Sequence, residues 1–292
     1  MTGYGAGVVV DPPENYSLVW SDEFDAPELD TLSWNIEVND NGNGNGELQY
    51  YTNRRDNVAI GKEPVSGESC LVLTARKERF GDKRFTSGRV NTSGKVMFTR
   101  GIVESRIKLP RTANGLWPAF WLLGEDYWTE GWPRCGEIDI LEMGNAEGIR
   151  TGSQDRFFNG ACHWGFFRDG IYPNYGKSST NAYSLQDGEF HTFTLQWDED
   201  SIRMYLDRDK YPAVEPYYTL DVSDTTSVWS AGRYLHHDFF VLFNIAVGGM
   251  FPGISNPNDV TALDGKEAKM YVDWVRLYQK NGSRERKLFF RN

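Results

Sequence analysis

Three carboxylates stand close together in the segment Gly136–Asn145, GEIDILEMGN: Glu137, Asp139 and Glu142. Their neighbours Ile138, Ile140, Leu141 and Met143 are apolar, the make-up of a buried strand rather than of a polar loop. Side chains alternate across a strand, so Glu137 and Asp139 share one face, and Ile138 and Ile140 share the other. Glu142 follows Glu137 at an odd offset of five. In a regular strand its carboxylate would point into the core, which is costly for a charge. One extra residue at Ile140–Leu141, a β-bulge, returns Glu142 to the acidic face, and that bulge is the expectation. The two glutamates then lie four pleat steps apart, roughly 13 Å between backbones at about 3.3 Å per residue, and long side chains leaning inward can narrow the gap.

Paired carboxyl groups on one face are the equipment for cleaving a glycosidic bond. Retaining enzymes hold them about 5–5.5 Å apart and inverting enzymes wider, to admit a water. The spacing here is compatible with retention. Three crowded acids cannot all ionise, so repulsion raises at least one pKa and leaves a proton donor near neutral pH. One glutamate would attack the anomeric carbon, the other would protonate the departing sugar, and Asp139 between them would hydrogen-bond the nucleophile. The competing reading is the solvated outer face of a sandwich strand. The odd offset, the nearby tryptophans and the mutual repulsion of the acids weigh against it.

Such a strand needs a rigid sheet around it. Ser69–Ala75, Gly101–Leu109, Phe190–Trp197, Ser201–Leu206, Phe239–Val247 and Lys269–Tyr278 read as further strands, apolar or alternating and bounded by Gly, Asp, Asn and Pro. No long segment has a helical period. The class expected is all-β, a β-sandwich or jelly roll. Residues 1–16 read as an irregular lead-in, 17–280 as one catalytic domain, and 281–292 as a tail holding the basic cluster Arg284, Arg286, Lys287 and Arg291. Two polar connections stand out: the Asn/Gly repeat Asn39–Gly46 and the stretch 145–160.

Composition narrows the ligand. The chain of 292 residues carries 10 Trp, 15 Tyr and 17 Phe, more amphipathic aromatics than a core needs, and such rings stack well on sugars. A net charge of −10 argues against nucleic acid and for a neutral substrate. No apolar run is long enough to span a membrane. The start lacks the charged and apolar regions of an export signal, so an exported protein would have lost its signal here. Three cysteines, Cys70, Cys135 and Cys162, show no metal-ligand spacing, and one disulfide with one free thiol is an open reading.

The catalytic segment resembles the E-x-D-x-x-E signature of glycoside hydrolase family 16, in the bulged form of its laminarinase branch. Trp20–Phe24, Glu47–Thr52, Gly115–Gly124, Asn244–Gly249 and Val272–Tyr278 resemble further blocks of that branch. The resemblance implies a concanavalin A-like jelly roll with substrate along a concave cleft. It implies Glu137 as nucleophile, Asp139 as assisting acid and Glu142 as general acid/base, with His163 beside the acid/base. Trp117 and Trp121, four apart and so on one strand face, would offer a sugar platform. Glu47 and Asn244 would border the cleft, and Trp132, more weakly Trp128, would lie in the loop before the catalytic strand. A structural Ca²⁺ far from the chemistry would draw on Glu23, Asp273 and the carbonyl of Gly67, while catalysis itself would need no cofactor. The implied protein is an exported, monomeric, endo-acting retaining hydrolase of a polysaccharide or oligosaccharide. An endo-β-1,3(4)-glucanase comes first, an endo-β-galactosidase-like enzyme on mucin O-glycans or algal galactans second, and a non-catalytic glucan-binding lectin is the reading of another class. The loop before Glu47 and the stretch 145–160 depart from the family pattern and leave the glycan undecided.

Overall fold

A computed structural model describes residues 12–283 and, for the backbone alone, 286–288. Two sheets pack face to face. The acid-bearing sheet runs, strand by strand, Asn174–Thr180, Phe157–His163, Glu137–Met143, Leu116–Gly124, Phe239–Val247, Arg89–Asn91 and Asn35–Ile36, with Val96–Phe98 off its Phe239 end. The second sheet runs Tyr218–Asp221, Ser201–Leu206, His191–Trp197, Gly101–Lys108, Glu267–Lys280, Ser69–Phe80, Lys83–Ser87 and Gln49–Tyr51. Tyr16–Asp22 and Val58–Lys62 extend it off that path. Each sheet mixes consecutive strands with neighbours far apart in sequence, such as Gly101–Lys108 beside Glu267–Lys280, and all pairs are antiparallel except Gln49–Tyr51 with Lys83–Ser87. The fold is a jelly-roll β-sandwich.

Alternation in the sequence decides which residues fill the space between the sheets. In Leu116–Gly124, Leu116, Phe120 and Leu122 enter the core, while Trp117 and Trp121 face outward and are half-buried. Phe120 stacks on Phe243 of the adjacent strand at 4.8 Å, and Trp34, Phe24 and Phe243 continue the aromatic layer. This close-packed interior is the platform from which the outward side chains project.

Two glycines bracket the acid strand. Gly136 has φ +77° and Gly144 φ +99°. A Cβ at Gly144 would sit 1.9 Å from the carbonyl oxygen of Leu116, and one at Gly136 would sit 2.8 Å from the Phe239 ring. Both positions need a residue without a side chain.

Several expectations change. Residues 286–288 pair antiparallel with Val96–Phe98, so part of the expected tail joins the sheet. Of its basic cluster, Arg284 and Arg291 lie outside the described residues, as does most of the 1–16 lead-in. The stretch 145–160 is not a plain loop. Asn145 caps a helix over Ala146–Thr151 by accepting from the Glu147 amide, Gly152 ends it in the left-handed region, and a strand starts at Phe157. All three cysteines are buried and free, which removes the disulfide reading.

Candidate active site

The bulge lies where the odd offset requires it. Against Phe157–His163, Asp139 faces Ala161 while Glu142 faces Asn159, three residues on one strand against two on the other. Against Leu116–Gly124, Asp139 faces Trp121 and Leu141 faces Phe120, which again leaves Ile140 as the extra residue. Ile140 and Leu141 are both fully buried in the core, and Glu137, Asp139 and Glu142 share the outer face. A bulge leaves ladder groups unpaired. The carbonyl of Ile140 is recovered by the hydroxyl of Tyr217, which donates to it from the second sheet's edge.

Each acid has its own partner. Trp132 Nε1 donates to Glu137 Oε2 at 2.9 Å, and Trp117 Nε1 donates to Glu142 Oε1 at 3.2 Å. His163 stands opposite Glu137 in register, its Nε2 3.2 Å from Asp139 Oδ2 and 3.9 Å from Glu137 Oε1. The expectation that His163 neighbours Glu142 is therefore corrected. Glu137 is the acid paired with His163, whereas Glu142 lies beyond the bulge opposite Asn159, four residues along that strand, which leaves the histidine at the other end of the trio. His163 Nδ1 lies 3.0 Å from the Tyr172 hydroxyl.

Burial raises all three acids, and their mutual repulsion adds to it. Glu137 is pushed up to about 8, first by loss of water and then by Asp139, against the favourable pull of His163 and the Trp132 N–H. Asp139 is pushed up to about 7 by burial, against a hydrogen bond with Glu137. Glu142 is raised well above the ordinary carboxyl range, by burial first and the charge of Asp139 second. The site therefore holds protons near neutrality, the condition for a carboxylic acid to act as a donor.

The other expected residues divide. Trp121 Nε1 donates to Asn244 Oδ1 at 2.8 Å, and Asn244 Nδ2 donates to the Tyr51 hydroxyl at 3.2 Å. Neither tryptophan is a bare platform: Trp117 stacks on Phe251 at 4.8 Å, and the Arg89 guanidinium lies 5.0 Å over Trp121. Glu47 is buried and caged, accepting from Asn43 Nδ2 at 3.0 Å, Asn45 Nδ2 at 3.1 Å and Gln49 Nε2 at 2.6 Å. The Asn/Gly repeat is thus the wrapping of this carboxylate. Trp128 is 80% exposed and its ring meets Tyr127 at 5.1 Å.

Sequence reasoning missed Tyr172 and Arg89. Tyr172 lies in a loop with no pattern around it. Arg89 is a cation within a short strand, paired with Glu37 at 2.9 Å, and the polar surroundings of residues 86–92, TSGRVNT, carry no signal that marks it.

The carboxylates proposed for calcium are otherwise engaged. Arg276 grips Glu23 through Nε at 2.9 Å and Nη2 at 2.7 Å, and Arg106 Nη1 meets Asp273 Oδ2 at 2.5 Å. Gly67 closes a turn by donating to the Glu63 carbonyl. A dication bound through those two side chains would have to displace two guanidinium groups, so these side chains do not fit as its ligands. Among the described residues one group, Glu137, Asp139 and His163, brings potential ligand atoms within 4.8 Å of one another. Two members of this group also hold ring partners, Glu137 through Trp132 and His163 through Tyr172, and all three belong to the acid site itself.

The profile described as glycosyl hydrolases family 16 matches residues 45–221. The Bacteroides ovatus mixed-linkage glucan GH16, solved with its G4G4G3G product, is 39% identical, with TM-score 0.77, covering 89% of this chain and all of that one. A Rhodothermus marinus beta-glucanase is 31% identical over 92% of this chain and 87% of its own length. A Niallia circulans glucan endo-1,3-beta-glucosidase A1 is 32% identical over 94% of this chain, which spans only 39% of that longer protein.

Proposed function

The chain belongs to family 16 of the glycosyl hydrolases, and on that premise we propose that it is an endo-β-1,3(4)-glucanase acting on laminarin or mixed-linkage β-glucan. As a family member it is a retaining glycoside hydrolase. The observation that carries the choice of glucan is the match, over the whole of that chain, to an enzyme solved with a mixed-linkage product.

The residues take these roles. Glu137, with Trp132 and His163 favouring its charge, attacks the anomeric carbon. As that bond forms, the bond to the leaving oxygen breaks, and the proton of Glu142 passes to that oxygen. The product is a glycosyl ester on Glu137. A water then gives its proton to Glu142 and attacks the same carbon, freeing Glu137 and restoring both groups. Asp139 hydrogen-bonds Glu137 in the resting site and tunes its charge. Trp121, Asn244 and Glu47 border the bound sugars. No step calls on a metal. Polymeric glucan does not cross a membrane, so the reaction is placed outside the cytoplasm.

Reducing ends released from laminarin, lichenan, agarose and mucin glycans test the substrate. The expected result is internal cleavage of the first two, with the β-anomer formed first by proton NMR. Cleavage confined to agarose or mucin glycans would assign the galactan reading instead, and an α-anomer formed first would remove the roles given to Glu137 and Glu142.

A further inference from the structure

Beyond the acids, the loop after His163 exposes apolar side chains where a soluble domain has no structural use for them. Phe167 is 54% exposed and Ile171 74%. The loop holds them on a fixed backbone. Arg168 and Ile171 exchange two hydrogen bonds, N to O, at 2.7 and 3.0 Å, and the Trp164 amide donates to the Pro173 carbonyl at its base. Two rings pack against Phe167: Tyr172 lies at 5.1 Å in an edge contact and Trp132 at 5.9 Å.

The patch is continuous with the active site. Trp132 both donates to Glu137 and touches Phe167, and Tyr172 both contacts Trp132 at 4.8 Å and reaches His163. A chain seated on Glu137 therefore meets Trp132 first and Phe167 next. The 5.9 Å between those two rings is comparable with the span of one pyranosyl unit. Exposed, preorganised aromatic rings beside a polar cleft suit a ligand with apolar faces and hydroxylated edges. We propose that Phe167, backed by Tyr172 and flanked by Ile171, is an outer sugar platform that binds the β-glucan chain beyond the Glu137 end of the acid trio. The platform sets the preference for long chains over short ones. This rests on the glucanase reading and adds to it a subsite and a residue that decides chain length.

The test is steady-state hydrolysis of a length series of mixed-linkage and laminari-oligosaccharides by wild type, Phe167→Ala and Phe167→Trp, with melting temperatures as a folding control. For Phe167→Ala, KM on long oligosaccharides should rise about three- to tenfold with kcat within about twofold of wild type, the loss expected of one aromatic contact. On the shortest cleaved oligosaccharide KM should be unchanged, and Phe167→Trp should restore the long-chain KM. Calorimetry on Glu142→Gln, with and without Phe167→Ala, should show the same loss in affinity for a long oligosaccharide. An equal effect at every length, or none, overturns the platform while the glucanase reading stands. A folded wild type that neither cleaves nor binds any glucan of the series overturns both.

Discussion

At the scale of single residues, the acid trio is held in a state that costs stability. Asp139 is almost wholly buried and its carboxyl is pushed up to about 7, whereas in an unfolded chain it titrates near 3.9. A carboxyl raised in the folded state binds more protons folded than unfolded. Stability is therefore complete below the unfolded value and falls as pH rises through about 7. Asp139→Asn removes that charge and its repulsion of Glu137 and Glu142. Thermal melts should show the variant more stable than wild type by about 1–4 kcal/mol at pH 8 and indistinguishable near pH 4, while its kcat falls. A variant that loses stability equally at both pH values would show that Asp139 is held by contacts rather than opposed by charge. Tyr172 acts one step back. Its hydroxyl at His163 Nδ1 fixes the ring whose positive form lowers the pKa of Glu137. Tyr172→Phe frees the ring, so Glu137 should ionise at higher pH. The acid limb of kcat/KM should move upward, with about a three- to tenfold loss at neutral pH.

At the scale of elements, the bulge is what places Glu142 beside the other acids. It was legible because an acid at an odd offset in an apolar strand has one inexpensive resolution. What was not legible depends on contacts far apart in sequence. Tyr217, which satisfies Ile140, lies 77 residues away. The Asn/Gly repeat reads as an unstructured loop until Glu47 is seen inside it, and His163 pairs with Glu137 through a strand register that neither segment displays in its own residues. The strand over 286–288 escaped because a short basic segment carries no apolar alternation. The Tyr217 contact can be tested. Tyr217→Phe keeps the ring on Phe158 but leaves the Ile140 carbonyl without its donor, which should cost about 1–3 kcal/mol in a denaturant titration. Because that carbonyl lies within the bulge, kcat should fall with KM nearly unchanged. A loss of stability with kcat intact would mean that the acid strand keeps its bulge without Tyr217.

At the scale of the whole molecule, the two sheets divide the work. One presents the acids, and the outer face of the other is held by ion pairs stacked on rings. Arg276 grips Glu23 and lies 4.0 Å over Trp274, and Arg106 meets Asp273 and lies 4.3 Å over Phe190. Lys108 Nζ meets Glu63 at 2.7 Å, and although burial pushes the Glu63 carboxyl up, that pair and the turn amides outweigh it and bring the carboxyl down to about 2. Carboxylates neutralised in this way have little affinity left for a dication. A bound ion stabilises only the form that binds it, in proportion to the logarithm of its saturation. Chelation by EDTA should therefore leave the melting temperature within about 1 °C of its value with millimolar calcium, and leave the rate on β-glucan unchanged. Arg106→Gln is the informative contrast. It strips Asp273 of its partner and should cost about 1–3 kcal/mol, as expected when one side of a partly buried pair is removed. It also frees a carboxylate near Glu23 and Glu68, so this variant, unlike wild type, should gain stability when calcium is added. A wild type that melts markedly lower in EDTA would show that calcium, rather than the guanidinium groups, neutralises this face.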